Sequence, residues 1–254
     1  MLQIKLLAQR DFLLVNLARI SHAFSYMSVL FLMGLLLQNV LGHPANVAGL
    51  ILLYMTIPSG IFGPIAGKWS DRIGTRIPQI LGMLALFIGC IFLTQIQHFP
   101  MSTMIALGLS LLGISAGLFL PCSSITAVSV VPKEQTGMAT GVFYTNSFIG
   151  TTLGIAISGS ILAISSTHYL LESIRTNKLV FTPQQLSVLK ETASGIQPIS
   201  AITQYFPQQM ILELSQMTHQ AFMTGFITAI STCAGLAAIG TFLVFMLKKS
   251  QNIQ

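Results

Sequence analysis

Gly67-Lys68-Trp69-Ser70-Asp71-Arg72-Ile73-Gly74-Thr75-Arg76 is a short, charged segment with a glycine near each end, set between two long apolar runs. No Asp, Glu, Lys or Arg occurs in the 48 residues from 20 to 67, and after Arg76 the next is Lys133. Two membrane helices joined as a hairpin need a tight polar turn that stays in water, and this segment has that chemistry. Gly67 and Gly74 permit close approach and unusual dihedrals. Asp71 lies a few residues before the next apolar run, where a helix N-terminus would favour its charge. Arg72 and Arg76 are fixed cations able to bridge to that carboxylate or to a neighbouring helix end.

The composition agrees with a membrane protein. It is 53% hydrophobic and 7% charged, with a mean hydropathy of +0.78. A bilayer span takes roughly 20 apolar residues. The uncharged runs 20–67 and 77–132 each have room for two spans and a turn, and 135–171 and 214–247 hold one each. The fold class expected is therefore all-α and integral to the membrane, with six spans. These run from about Phe12 to Gln38, Asn46 to Gly67, Ile77 to Gln95, Thr103 to Val131, Gly137 to Ser166 and Thr218 to Leu247. Pro58 and Pro64 should bend the second span, and Pro121 the fourth.

The net charge of +6 would suggest nucleic acid on a soluble protein. Here Lys5, Arg10, Lys68, Arg72, Arg76, Lys133, Lys248 and Lys249 fall at alternate helix ends, and the connections 39–46 and 97–102 carry no Lys or Arg. That is the positive-inside pattern. It places both termini and the turn at 68–76 in the cytoplasm, makes membrane lipid the surrounding partner, and argues against nucleic acid. Cys90, Cys122 and Cys233 lie inside apolar runs and read as packing residues.

The chain divides into a five-helix part (1–167), a polar extracytoplasmic loop (168–217) and a last span with its tail (218–254). The loop is too long for a simple connection. Thr182-Pro183 has the form of an N-cap followed by a first-turn proline, opening a short helix through Leu186 and Leu189. Pro207 starts a second helix that runs towards the last span.

Several residues stand out inside the spans. Arg19 lies about seven residues into the first, where an intramembrane cation is a functional candidate. It either contacts a cavity or a neighbouring helix, or it snorkels to the surface. His22, one turn on, either titrates near neutral pH or is a hydrogen-bonded packing residue. Tyr26 continues the same face. Tyr144 and Asn146 lie in the fifth span, where Asn146 serves either as interhelical glue or as a substrate contact. Gly137, Gly141, Gly150, Gly154 and Gly159 on that span read as close-packing positions. Gly113-Ile114-Ser115-Ala116-Gly117 matches the G-x-S-x-G of serine hydrolases, but that chemistry needs a strand-to-helix elbow. In mid-helix the pattern reads as a small packing face. No zinc spacing, phosphate loop or nucleotide fingerprint occurs, so no enzyme activity, cofactor or metal is expected.

The motif Gly67-x-x-x-Asp71-Arg72-x-Gly74-x-Arg76 resembles the signature loop of the major facilitator superfamily. The wider chain is similar to the C-terminal half of its fourteen-span drug:proton antiporters, the EmrB/QacA group. The supporting stretches are Arg10-Asp11-Phe12, Leu37 to Gly42, Ala48-Gly49-Leu50, Gly63 to Gly67, Val131-Pro132 and Gly137 to Gly141. The resemblance implies one half of a transporter bundle, with the first, second, fourth and fifth spans lining a central cavity. It implies a small-molecule substrate, a coupling proton, and a missing N-terminal half of eight further helices, or a second copy, as partner. Arg19, His22, Tyr26, Tyr144 and Asn146 become candidates for the cavity or the coupling path. Gly67, Asp71, Arg72, Gly74 and Arg76 become the conformational signature. The resemblance also implies an inner-membrane location. Other solutes, such as a sugar or an organic acid, and a non-transporting stand-alone subunit remain alternatives.

Overall fold

With no water in the hydrocarbon to satisfy its peptide groups, a long apolar chain must close its hydrogen bonds within each segment. Six helices do so in the computed structural model, which describes residues 9–247. Lys5, Lys248 and Lys249, used above to orient the chain, lie outside these residues.

The first helix, α1, spans Arg10–Leu35 and continues into a π-helical turn at Leu36–Val40. It is followed by α2 (Ala45–Ile73), α3 (Arg76–Thr94), α4 (Met101–Ser129) and α5 (Thr136–Thr176). Two short helices, α6 (Pro183–Ala193) and α7 (Ile202–Tyr205), precede α8 (Gln208–Phe245). The helices α1 to α5 and α8 are long and apolar enough to cross a membrane. Pro58, Pro64 and Pro121 sit inside α2 and α4, which continue through them.

The bundle is built from two groups of three. α1 packs on α5 and α8, and α4 packs on α2 and α3, while α3 and α8 meet and join the groups. Small residues set the closest approaches. A Cβ on Gly154 would lie 2.5 Å from the Phe24 carbonyl oxygen, and one on Gly150 2.6 Å from that of Ile20. On α4, a Cβ on Gly117 would lie 2.9 Å from the Ser59 carbonyl oxygen. Gly137 and Gly141 behave differently, because a Cβ there would touch nothing. The expectation of close packing at these two positions is therefore corrected: in this chain they lie on an open face of α5.

Hydroxyl groups make the polar part of the α1–α8 seam. Ser21 donates to the Leu236 carbonyl at 2.6 Å and Ser25 to that of Cys233 at 3.0 Å. The unusual polarity of α1 thus has a packing role, since such groups need partners away from water. All three cysteines are buried and unbridged.

α5 has 41 residues and α8 has 38. At 1.5 Å per residue these are roughly 60 Å long, about twice the hydrocarbon thickness. The polar stretch 168–217 is therefore a helical cap standing on two extended helices, and the boundaries at 167 and 218 fall inside α5 and α8. Its own core gathers Leu170, Leu189, Ile202, Phe206, Leu214 and Met217. A reciprocal capping box opens α6: Gln185 N–H donates to Thr182 Oγ1 at 3.3 Å, and Thr182 N–H to Gln185 Oε1 at 3.1 Å. The cap is tied to α1 by Asn39, whose Nδ2 donates to the Gly195 carbonyl at 2.6 Å.

Candidate functional site

Asn16, Arg19, His22 and Tyr26 follow one another at spacings of three, three and four, which lines them along one face of α1. The structure splits this stripe between two neighbours. Within α1, Asn16 donates to the Phe12 carbonyl at 2.8 Å, and towards α5 it accepts a hydrogen bond from Asn146 Nδ2, also at 2.8 Å. Arg19 lies on the same side, with its guanidinium carbon 5.2 Å from the centre of the Phe143 ring. Towards α4, His22 Nε2 and Ser115 Oγ are 3.1 Å apart. The imidazole stacks on Phe119 at 4.5 Å and on Tyr26 at 5.6 Å.

Burial distinguishes the members. His22 is 1% exposed and Ser115 fully buried, so this pair is closed off. Arg19 is 9% exposed, packed between helices, and its Nε has no acceptor among the described residues. A buried cation without a counter-charge costs on the order of several kcal/mol. Tyr144 is 50% exposed and Asn146 partly so, which makes them the open edge of the cluster.

The His22–Ser115 contact brings a histidine to the serine of the G-x-S-x-G pattern. α4 continues as a regular helix through Ser115, so the backbone N–H groups there are already bonded within the helix and none is free as an oxyanion donor. Gly113 meets the Met55 backbone and Gly117 meets Ser59 and Gly63, which accounts for the two glycines as packing contacts.

The charged motif is more helical than its glycines suggest. α2 runs to Ile73, so Gly67, Asp71 and Arg72 lie in its last two turns, and the turn itself is Gly74-Thr75. Gly74 has φ +83°, a conformation that favours glycine. Gly67 is helical with open space beside it, which corrects the expectation of an unusual dihedral there. Asp71 sits near a helix C-terminus rather than an N-terminus, is exposed, and makes no ion pair among the described residues. Arg76 opens α3 and reaches across to α8. It donates to the Phe245 carbonyl and lies 5.3 Å over the Phe245 ring, satisfying one of the open carbonyls at that helix end.

A feature that the sequence reading missed is an apolar pocket of about 450 Å³ at the other end of the bundle. It lies between the π-helical turn of α1, α2 and α4, and is lined by Leu37, Leu41, His43, Ile51, Tyr54 and Met101. No local motif marks it, because residues 37–54 form one side and the start of α4, about fifty residues on, forms the other. Among the described residues no group of three or more His, Cys, Asp and Glu is placed to hold a metal.

Six membrane-length helices, with buried polar contacts between them, define a multi-pass membrane protein. The sequence profile of the Major Facilitator Superfamily matches residues 15–171, and the chain belongs to that superfamily. It is similar to the multidrug resistance protein Stp of Mycobacterium tuberculosis, at 35% identity over 55% of this chain and 26% of that protein. The lincomycin resistance protein LmrB of Listeria innocua is 26% identical over 83% of this chain and 38% of its own length. The quinolone resistance protein NorB of Staphylococcus aureus is 25% identical over 68% of this chain and 36% of its own. The matched stretch is thus well under half the length of each relative.

Proposed function

We propose that this chain is the C-terminal half of a proton-coupled multidrug efflux transporter of the cytoplasmic membrane, moving small amphipathic or cationic compounds. It is a transporter and not an enzyme. The observation that carries the reading is the sequence similarity of this six-span superfamily member to three relatives named for drug resistance. The fraction of each relative that is matched supports a companion of further helices or a second copy. Transport would proceed by rocking of one bundle against the other around a midplane site. The exposed apolar faces of α2 and α5, with Ile57 and Phe148 at 57% and 72% exposure, fit surfaces that meet lipid or the companion.

In this account Arg19, Tyr26, Tyr144 and Asn146 are candidates for the substrate cavity, His22 for the coupling path from behind it, where it is buried against Ser115, and the Gly67–Arg76 motif biases the rocking equilibrium. All six acidic residues lie in loops or near helix ends, so the coupling carboxylates belong to the companion. Both chain ends would be cytoplasmic and the cap would face outward. The test is ethidium efflux from a pump-deficient bacterium carrying the complete gene. Energised efflux that a protonophore abolishes supports the proposal, and efflux unchanged by the protonophore contradicts proton coupling. The same frame could serve another solute, which a panel of sugars and organic acids would reveal.

A further inference from the structure

Arg19 is an unfinished site. Its guanidinium is nine positions into α1, about 13 Å along the axis, and nine-tenths buried. Its Nε has no acceptor among the described residues. The chain's acidic side chains are Asp11, Asp71, Glu134, Glu172, Glu191 and Glu213. All are described, and none pairs with Arg19. What neighbours it is neutral: the Phe143 ring, the Asn16–Asn146 amide pair, and Tyr144 at the open edge.

A buried cation without a partner is costly, so a site that keeps one is a candidate to receive an anion. A planar guanidinium fork is matched best by a planar monoanion bound through two parallel hydrogen bonds. We infer that Arg19 is the docking point for a carboxylate that comes from outside this chain, beside the Asn16–Asn146 pair. The carboxylate belongs either to the transported compound or to a helix of the companion. In the first case the compounds favoured are anionic or zwitterionic amphiphiles rather than simple cations. This inference rests on the transporter reading for its biological setting, but the docking chemistry is tested without transport.

The first experiment is thermal unfolding of the purified chain in lipid nanodiscs with benzoate or its neutral isostere benzamide. Benzoate should raise the melting temperature of the wild type and benzamide should not. Arg19→Gln should lose the benzoate shift, and Arg19→Lys, which keeps the charge, should retain part of it. Equal shifts with both compounds, no shift with benzoate, or an undiminished benzoate shift in Arg19→Gln overturns the inference.

The source is then read in cells by export of a fluoroquinolone acid, its ethyl ester and ethidium. A loss of about tenfold confined to the acid in Arg19→Gln, worth 1.4 kcal/mol, assigns the carboxylate to the compound. Equal loss for all three assigns it to a companion helix. Unchanged export of all three by Arg19→Gln overturns the inference. If the wild type exports none of the three, the efflux proposal fails, while the benzoate result still decides whether Arg19 receives a carboxylate.

Discussion

His22 on α1 and Ser115 on α4 share a hydrogen bond 3.1 Å long, fully inside the bundle and 93 residues apart in sequence. It ties α1 of one group of three helices to α4 of the other. Interhelical hydrogen bonds in membranes average about 0.6 kcal/mol and reach about 1.7 kcal/mol. Ser115→Ala should therefore cost about 1 kcal/mol. His22→Ala should cost more, about 3 kcal/mol, because it also leaves a void between Phe119 and Tyr26. A double-mutant cycle read by unfolding in mixed micelles should give a coupling of about 1 kcal/mol. Strict additivity would show that the pair is not energetically linked.

The glycines of α5 give a contrast within one helix. Gly154→Ala places a Cβ 2.5 Å from the Phe24 carbonyl, and overpacking of this kind costs about 1–3 kcal/mol. Gly141→Ala meets nothing and should stabilise the helix by a few tenths of a kcal/mol or more. Melting temperatures of the two purified variants check this. A Gly141→Ala protein as destabilised as Gly154→Ala would contradict the assigned α1–α5 contact.

The cap is held to α1 by Asn39 and fits closely on α8 at Gly195. At Gly195 φ is +70°, and a Cβ would lie 2.6 Å from Phe222 Cε2. Both Asn39→Ala and Gly195→Ala should loosen the cap without unfolding the spans. Lys178 and Lys190 lie within it and report on this as tryptic sites. Cleavage at these residues should accelerate several-fold in both variants, with the spans still protected. Unchanged cleavage in both would show that the tether does not hold the cap.

Arg76→Gln removes the cation that covers the last carbonyls of α8. The expected cost is about 1 kcal/mol, with faster amide exchange confined to the final turn before Phe245. Arg76→Lys should recover part of the protection, since it keeps the charge but lacks the planar stacking group. Exchange that is unchanged in Arg76→Gln would count against the contact.

Much of the architecture could be read from the residues alone. Uncharged runs of bilayer length gave six helices, and Thr182-Pro183 and Pro207 marked the starts of α6 and α8 in the cap. The end of α2 was misplaced at Gly67, since the apolar run stops there. The helix itself continues, because Lys, Trp, Ser, Asp and Arg are all compatible with it, until Gly74 takes a positive φ. The candidate site was only half legible. The spacing of Arg19, His22 and Tyr26 placed them on one face, but nothing local in the sequence says that His22 turns to Ser115 and Arg19 to Phe143. Likewise the two small-residue pairs of α5 look alike as strings, and only the placement of α1 against Gly150 and Gly154 separates them.

A half-transporter whose coupling carboxylates sit on its companion, as proposed, should not move dye by itself. Proteoliposomes holding the chain alone, with an imposed pH gradient and ethidium, measure this. The account predicts an inserted, folded protein that moves no dye in response to the gradient. Gradient-driven dye accumulation by the chain alone would contradict it, and would make Arg19 and His22 part of a self-sufficient coupling path.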